Sequence, residues 1–92
     1  MKYAVLVEIA GEKNPSFLQS SDQLSAVRKP QSNLKRWMYE MGVEVKNPAR
    51  SKFVITEDGK PILVRYFLGA GSNSWNPIPE ESPVKEGTCQ PG

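Results

Sequence analysis

The side chains in this sequence that could do chemistry are carboxylates, lysines, arginines and hydroxyls, because it has no histidine and one cysteine, Cys89. Zinc and redox-metal sites assemble several imidazole or thiolate donors, so this composition offers no such ligand set and implies neither a metal nor a cofactor. The missing histidine also removes the commonest general base and the Ser-His and Cys-His nucleophile arrangements. Cys89 sits among Gly87, Thr88, Gln90 and Pro91, can form no internal disulfide and has no activating neighbour, which reads as an idle thiol. Acid–base work is left to two carboxylate pairs, Glu57-Asp58 and Glu80-Glu81. The first adjoins Gly59 in an expected turn and the second lies in a proline-rich stretch. A catalytic pair needs a cleft that pushes its two pKa values apart, and neither context supplies one. The expectation is a binding protein and not an enzyme.

The binding chemistry on offer is basic. The 92-residue chain carries a net charge of +2, too mild to diagnose a nucleic-acid partner by itself. Its distribution says more: residues 20–68 hold nine Lys/Arg against five acids, whereas the last 24 residues hold one lysine against three glutamates. A basic working surface and a separately evolved acidic tail are the expected consequence.

These groups have to be positioned by a small number of elements. Residues 2–10 read as a strand, with Tyr3, Val5, Leu6, Val7 and Ile9 ending at Gly11; the alternation is only partial, so a strand buried on both faces is as compatible as a half-exposed one. Asn14-Pro15-Ser16 signals a turn. After Phe17-Leu18, the run Ser20-Ser21-Asp22-Gln23-Leu24 can supply a serine N-cap to a short helix ending near Val27, with Leu24 and Val27 on one face. Pro30 interrupts it, and a second helix opens at Gln31 or Ser32 and runs to Gly42, a favourable residue just past a helix end. Leu34, Trp37, Met38 and Met41 fall within an arc of about 100°, with Ser32, Lys35, Arg36 and Tyr39 opposite. Residues 52–56 and 61–68 flank Glu57-Asp58-Gly59-Lys60, and Asp-Gly between apolar runs predicts a hairpin over 52–67. From Gly69 on, four prolines and four glycines predict little regular structure, with Trp75 an aromatic free to dock back on the domain.

The order strand, short helix, proline break, basic helix, Gly42 and Gly-turned hairpin is that of a small winged helix-turn-helix. The stretch Phe17-Leu18…Leu24…Arg28-Lys29-Pro30…Leu34-Lys35-Arg36-Trp37…Gly42-Val43…Asp58-Gly59-Lys60-Pro61-Ile62-Leu63-Val64-Arg65 resembles phage excisionases and related small phage proteins of the MerR-type winged-helix class. The resemblance spans about half the chain. It implies a DNA-binding accessory or regulatory protein of phage or mobile-element origin, with double-stranded DNA as partner. It also implies that Gln31, Ser32, Lys35, Arg36 and Tyr39 face the major groove, while Arg28 and Lys29 at the turn and Lys60 and Arg65 at the hairpin hold phosphates or reach a minor groove. Trp37 is core on that reading.

A generic β-α-β-β unit accounts for the same pattern, with residues 3–9 pairing with the hairpin and the Leu34–Met41 face packing across the sheet. The cations are then a solvated helix face, and the function is protein binding, such as modulation of a host protein by a small phage or plasmid product. Both readings share one fold class, α+β, in a single domain over residues 1–68, with a loosely ordered Pro/Gly-rich tail over 69–92. No stretch approaches the ~20 apolar residues of a membrane span and the apolar start lacks a cleavage pattern, so the expected location is the cytoplasm, with no membrane partner.

Overall fold

The computed structural model describes residues 2–78. In chain order these form β1 (Tyr3–Glu8), β2 (Ser16–Ser21), α1 (Leu24–Val27), α2 (Gln31–Met41), a 3₁₀ turn (Pro48–Arg50), β3 (Lys52–Glu57), β4 (Lys60–Tyr66) and β5 (Asn76–Pro77). The strands build one sheet in the order β2-β1-β3-β4-β5, antiparallel at every seam. Both helices bury their apolar stripes on one side of it, so the domain is α+β, as its sequence predicts.

Strand alternation decides what lies where. Val5 pairs with Ile55 and Val7 with Phe53, and these four residues are fully buried on the helix side with Leu18, Val27, Leu34 and Met38. The Phe53 and Phe67 rings stack there, with centroids 4.4 Å apart and planes 14° from parallel. Trp75 joins the same cluster, and its indole Nε1–H donates to the Lys29 carbonyl at 2.9 Å, so the ring closes the turn between α1 and α2.

The hairpin forms at the expected place. Asp58 and Gly59 have φ of 52° and 87°, the paired positive values of a type I′ turn, which matches the right-handed twist of the strands it joins. Helix α2 begins at Gln31 and ends as anticipated at Gly42, which is left-handed with φ 75°. There the Val43 N–H reaches the Met38 carbonyl at 2.8 Å and the Gly42 N–H reaches that of Tyr39 at 3.2 Å, a Schellman closure.

Four expectations need correction. β2 was not foreseen as a strand: its sequence SFLQSS is serine-rich, and it forms because it completes the edge of β1, with an irregularity between Val5 and Leu6 that turns Leu18 into the core. No serine side chain caps α1; its N-cap is Gln23, and the Ser21 hydroxyl instead accepts the Gln23 N–H at 3.1 Å. Met41 is 51% exposed, so the buried stripe of α2 ends at Met38 and does not reach the helix's last residue. The boundary at residue 68 falls too early, since β5 pairs with β4 and Trp75 is buried; residues 69–78 belong to the domain, and 79–92 lie outside the described residues.

One buried hydroxyl ties several segments together. Ser51 is 1% exposed; its Oγ accepts the Ala10 N–H at 3.1 Å and donates to the Asn47 carbonyl at 2.8 Å, while its own carbonyl accepts the Phe67 N–H. Ser51→Ala leaves a buried donor and acceptor without that partner, and the expected cost is about 1–3 kcal/mol in the unfolding free energy from urea titration.

Candidate binding surfaces

Helix α2 is held rigidly at both ends. At its start the Gln31 side-chain amide donates to the carbonyls of Tyr66 (3.1 Å) and Phe67 (3.0 Å), joining the helix to the end of β4, and the Schellman turn closes the other end. Leu34 and Met38 are buried between, Trp37 is half-buried, and Ser32, Lys35, Arg36 and Tyr39 are exposed on the far side, Tyr39 by 86%. Arg36 Nε lies 3.5 Å from Glu40 Oε2, one turn on, so part of its charge is already answered. Arg28 is exposed beside this helix, and Lys29 is half-buried where its carbonyl takes the Trp75 indole.

The other sequence-predicted contacts go elsewhere. Gln31 is half-buried, with its amide spent on the Tyr66 and Phe67 carbonyls. Arg65 pairs in register with Phe53, and its Nε donates to the Ser72 carbonyl at 3.1 Å, so it fixes the loop after β4. Lys60 is exposed at the hairpin tip, the opposite end of β4 from Tyr66 and hence about 20 Å from it at the rise of a strand. The hairpin does not project as a free wing, because β3 pairs with β1 on one side and β4 with β5 on the other. Its tip is tied down as well: the Asp58 N–H donates to the Lys2 carbonyl at 2.7 Å, and the Lys2 N–H to Asp58 Oδ1 at 2.9 Å. Arg28, Lys29, Ser32, Lys35, Arg36 and Tyr39 remain as one surface around α2.

A second surface lies on the other side of the sheet. Phe17, Leu6, Val54 and Val64 are successive register partners, an apolar row crossing four strands. Val54 and Val64 are 2% and 8% exposed yet lie outside the core cluster, and Phe17 and Tyr66 stand up at 50% and 41%. A parallel row holds Glu8, Lys52 and Tyr66, with Lys52 Nζ 3.8 Å from Glu8 Oε1. Among the described residues no helix covers this face, and a depression of about 400 Å³ in it is lined by the apolar Val54, Pro61, Val64, Pro77 and Ile78 together with Tyr66, Asn76, Glu8 and Lys52. The signal for it was present in the unbroken apolar run Phe53-Val54-Ile55, which puts apolar residues on both faces of one strand.

No family model, curated protein or solved structure matches this chain. Its surfaces therefore have to be read from their own chemistry. Among the described residues no three His, Cys, Asp or Glu side chains come together, and no described helix is long and apolar enough to cross a membrane.

Glu57-Asp58 proves to be hairpin architecture. The Tyr3 hydroxyl donates to Glu57 Oε2 at 3.1 Å, and this hydrogen bond, aided by burial and by the charges of Glu57 and Asp58, raises the phenol's pKa above its ordinary 10.0. A folded-state pKa raised above the unfolded value means that the fold holds this proton more tightly, so the contribution is complete below the unfolded pKa and fades as pH climbs through the folded one. Stability should therefore decline above about pH 10, and Tyr3→Phe should flatten that alkaline decline in urea midpoints measured across it.

Proposed function

We propose that this protein is a non-catalytic binding module whose working surface is the open face of the sheet and whose partner is a protein. The row Phe17–Leu6–Val54–Val64 carries the reading: it is apolar and built on paired strands, Phe17 stands half-exposed at its edge while Val54 and Val64 are buried beneath their neighbours, and the polar Glu8 and Lys52 flank it. An exposed aromatic beside apolar neighbours with a charged margin is the anatomy of a protein interface. Duplex DNA, being anionic and polar, gains nothing from such a face. The test places a photo-crosslinking amino acid at position 17 or position 39 of the full chain in the cells that make it. Adducts with protein are expected from position 17; adducts from position 39 alone would sink the reading.

A second reading rests on the α2 surface, where Ser32, Lys35, Arg36 and Tyr39 stand exposed along one face of a helix fixed at both ends. A helix so presented fits a major groove, with Arg36 or Lys35 on base edges and Arg28 or Ser32 on phosphates. Titration against random duplex at two salt concentrations should then show binding that weakens steeply with salt. Replacing Lys35 and Arg36 together by Ala should cost about 2–5 kcal/mol in affinity while leaving stability nearly unchanged. Absence of binding at low salt, or a double variant that binds like the parent, removes DNA from consideration.

A further inference from the structure

We propose that the outer edge of β2 is a strand-addition site, and that its occupant is an extended segment of a partner protein bearing one aromatic side chain. The proposal rests on the reading of the open face as a protein-binding surface. Backbone direction follows from one hydrogen bond. The Asp58 N–H donates to the Lys2 carbonyl, so the even-numbered residues of β1 turn their N–H and carbonyl groups toward β3 and the odd-numbered ones toward β2. Tyr3, Val5 and Val7 therefore bond Ser21, Gln19 and Ser16, and the backbone groups of Ser20 and Phe17 point out of the sheet, with the extra residue Leu18 between them at the irregularity. Among the described residues no strand lies beyond β2 to receive them. Unpaired N–H and carbonyl groups along an extended strand are matched by the backbone of another extended chain.

The two edges of the sheet differ in how they are guarded. At the far edge the Tyr66 N–H donates to the Gly71 carbonyl at 3.1 Å, the Ile78 N–H donates to the Ile62 carbonyl at 3.0 Å, and Asn76 pairs with Val64, so β4 is closed. The strand that closes it has two residues, one of them Pro77. Short length, proline and charge are the usual guards of an edge, and β2 has none of them over the six residues Ser16–Ser21. Its one guard is the irregularity at Leu18, which leaves Phe17 and Ser20 facing outward. The strand is held from the helix side, where Leu18 is 1% exposed and both α1 and α2 pack against it. The open side of the same edge offers a seat. Ser20, Ala4 and Thr56 are successive register partners with short side chains, and with Phe17, Lys2 and Asp58 they line a depression of about 710 Å³. A side chain of the added strand opposite Ser20 passes over that serine into the depression, where an aromatic ring lies against Phe17, itself 50% exposed. Main-chain bonds then supply affinity and the seat supplies specificity.

Random peptides of about twelve residues, displayed on phage, are selected on the immobilised full chain, and the enriched sequences are synthesised and titrated by fluorescence anisotropy. Sequences with one aromatic residue should emerge, with dissociation constants of about 1–100 μM. N-methylation of every second backbone amide of the peptide should weaken binding at least about 10-fold in one frame and leave it nearly unchanged in the other. Ser20→Pro deletes an outward N–H that the fold does not use, and Ser20→Lys installs an edge guard. Each, folded as judged by circular dichroism, should weaken binding at least about 10-fold, and the lysine variant keeps the test decisive if the proline variant does not fold. No enrichment over the bare support overturns strand addition, while the crosslinks from position 17 decide the open-face reading separately. Peptides indifferent to N-methylation in both frames and to the folded Ser20 variants also overturn it. Peptides lost with a folded Phe17→Asp variant yet indifferent to both Ser20 variants uphold the open-face reading and overturn strand addition alone. A chain whose sedimentation mass doubles from 10.3 kDa and returns to it in Ser20→Lys carries a second copy at this edge, which overturns the peptide as occupant.

Discussion

The structure depends on the pairing of β1 with β3, two segments almost fifty residues apart in the chain, because that seam makes β1 an interior strand with β2 on its other side. A strand so placed cannot slip. Side chains alternate with period two, so a shift of one residue would carry Val5 and Val7 to the open face and bring Leu6 and Glu8 into the core. The seam is held at both ends by polar contacts. Lys2 and Asp58 exchange hydrogen bonds at the hairpin tip, and at the other end the Ser51 hydroxyl takes the Ala10 N–H. Between them Val5, Val7, Phe53 and Ile55 exclude water completely.

Everything on the helix side follows from that frame. Leu34 and Met38 have a fixed apolar floor to cover, and the start of α2 is set by two polar joints, the Gln31 amide on the Tyr66 and Phe67 carbonyls and the Trp75 indole on the carbonyl just before Pro30. In the sequence Gln31 resembles recognition chemistry and Trp75 a loose aromatic. In the fold they answer a different need, since carbonyls at the end of β4 and in the α1–α2 turn must find donors when they leave water. Arg65 does the same for the loop after β4. A small domain has few side chains to spare, and several of its best hydrogen-bonding groups are consumed in joining its parts.

This explains what the sequence could and could not disclose. The hairpin was legible because its cause is local: Asp58-Gly59 accepts positive φ at both positions, and apolar runs flank it. Helix α2 was legible because Leu34 and Met38 recur at helical spacing up to a glycine that can close it. β2 was not, because Ser16–Ser21 has little strand character of its own and owes its conformation to the free edge of β1. The dispersal of Lys60, Arg65 and Gln31 was equally hidden, because it depends on where the hairpin enters the sheet and not on any residue within it. The open apolar face was half visible. Val54 is the middle of three apolar residues in a row, and that pattern fits a strand buried in any parallel or antiparallel core.

The two surfaces lie on opposite sides of one sheet, and that places a geometric condition on how they could work together. The helix layer lies about 10 Å from the sheet it covers, so a partner seated against Phe17 does not reach Lys35 or Arg36 through the core. Dimers that read a two-fold DNA site present both recognition helices on one side, a helical turn of the duplex apart. A strand added to the outer edge of β2 continues the sheet and leaves the exposed side of α2 uncovered, so it neither supplies nor blocks that arrangement. If Lys35 and Arg36 of two copies did read adjacent half-sites, the copies would have to associate through some surface other than the Phe17–Val64 row, because that row faces away from the helices. Protein binding on the open face and DNA binding on α2 are therefore separable in this fold, and each has to rest on its own residues.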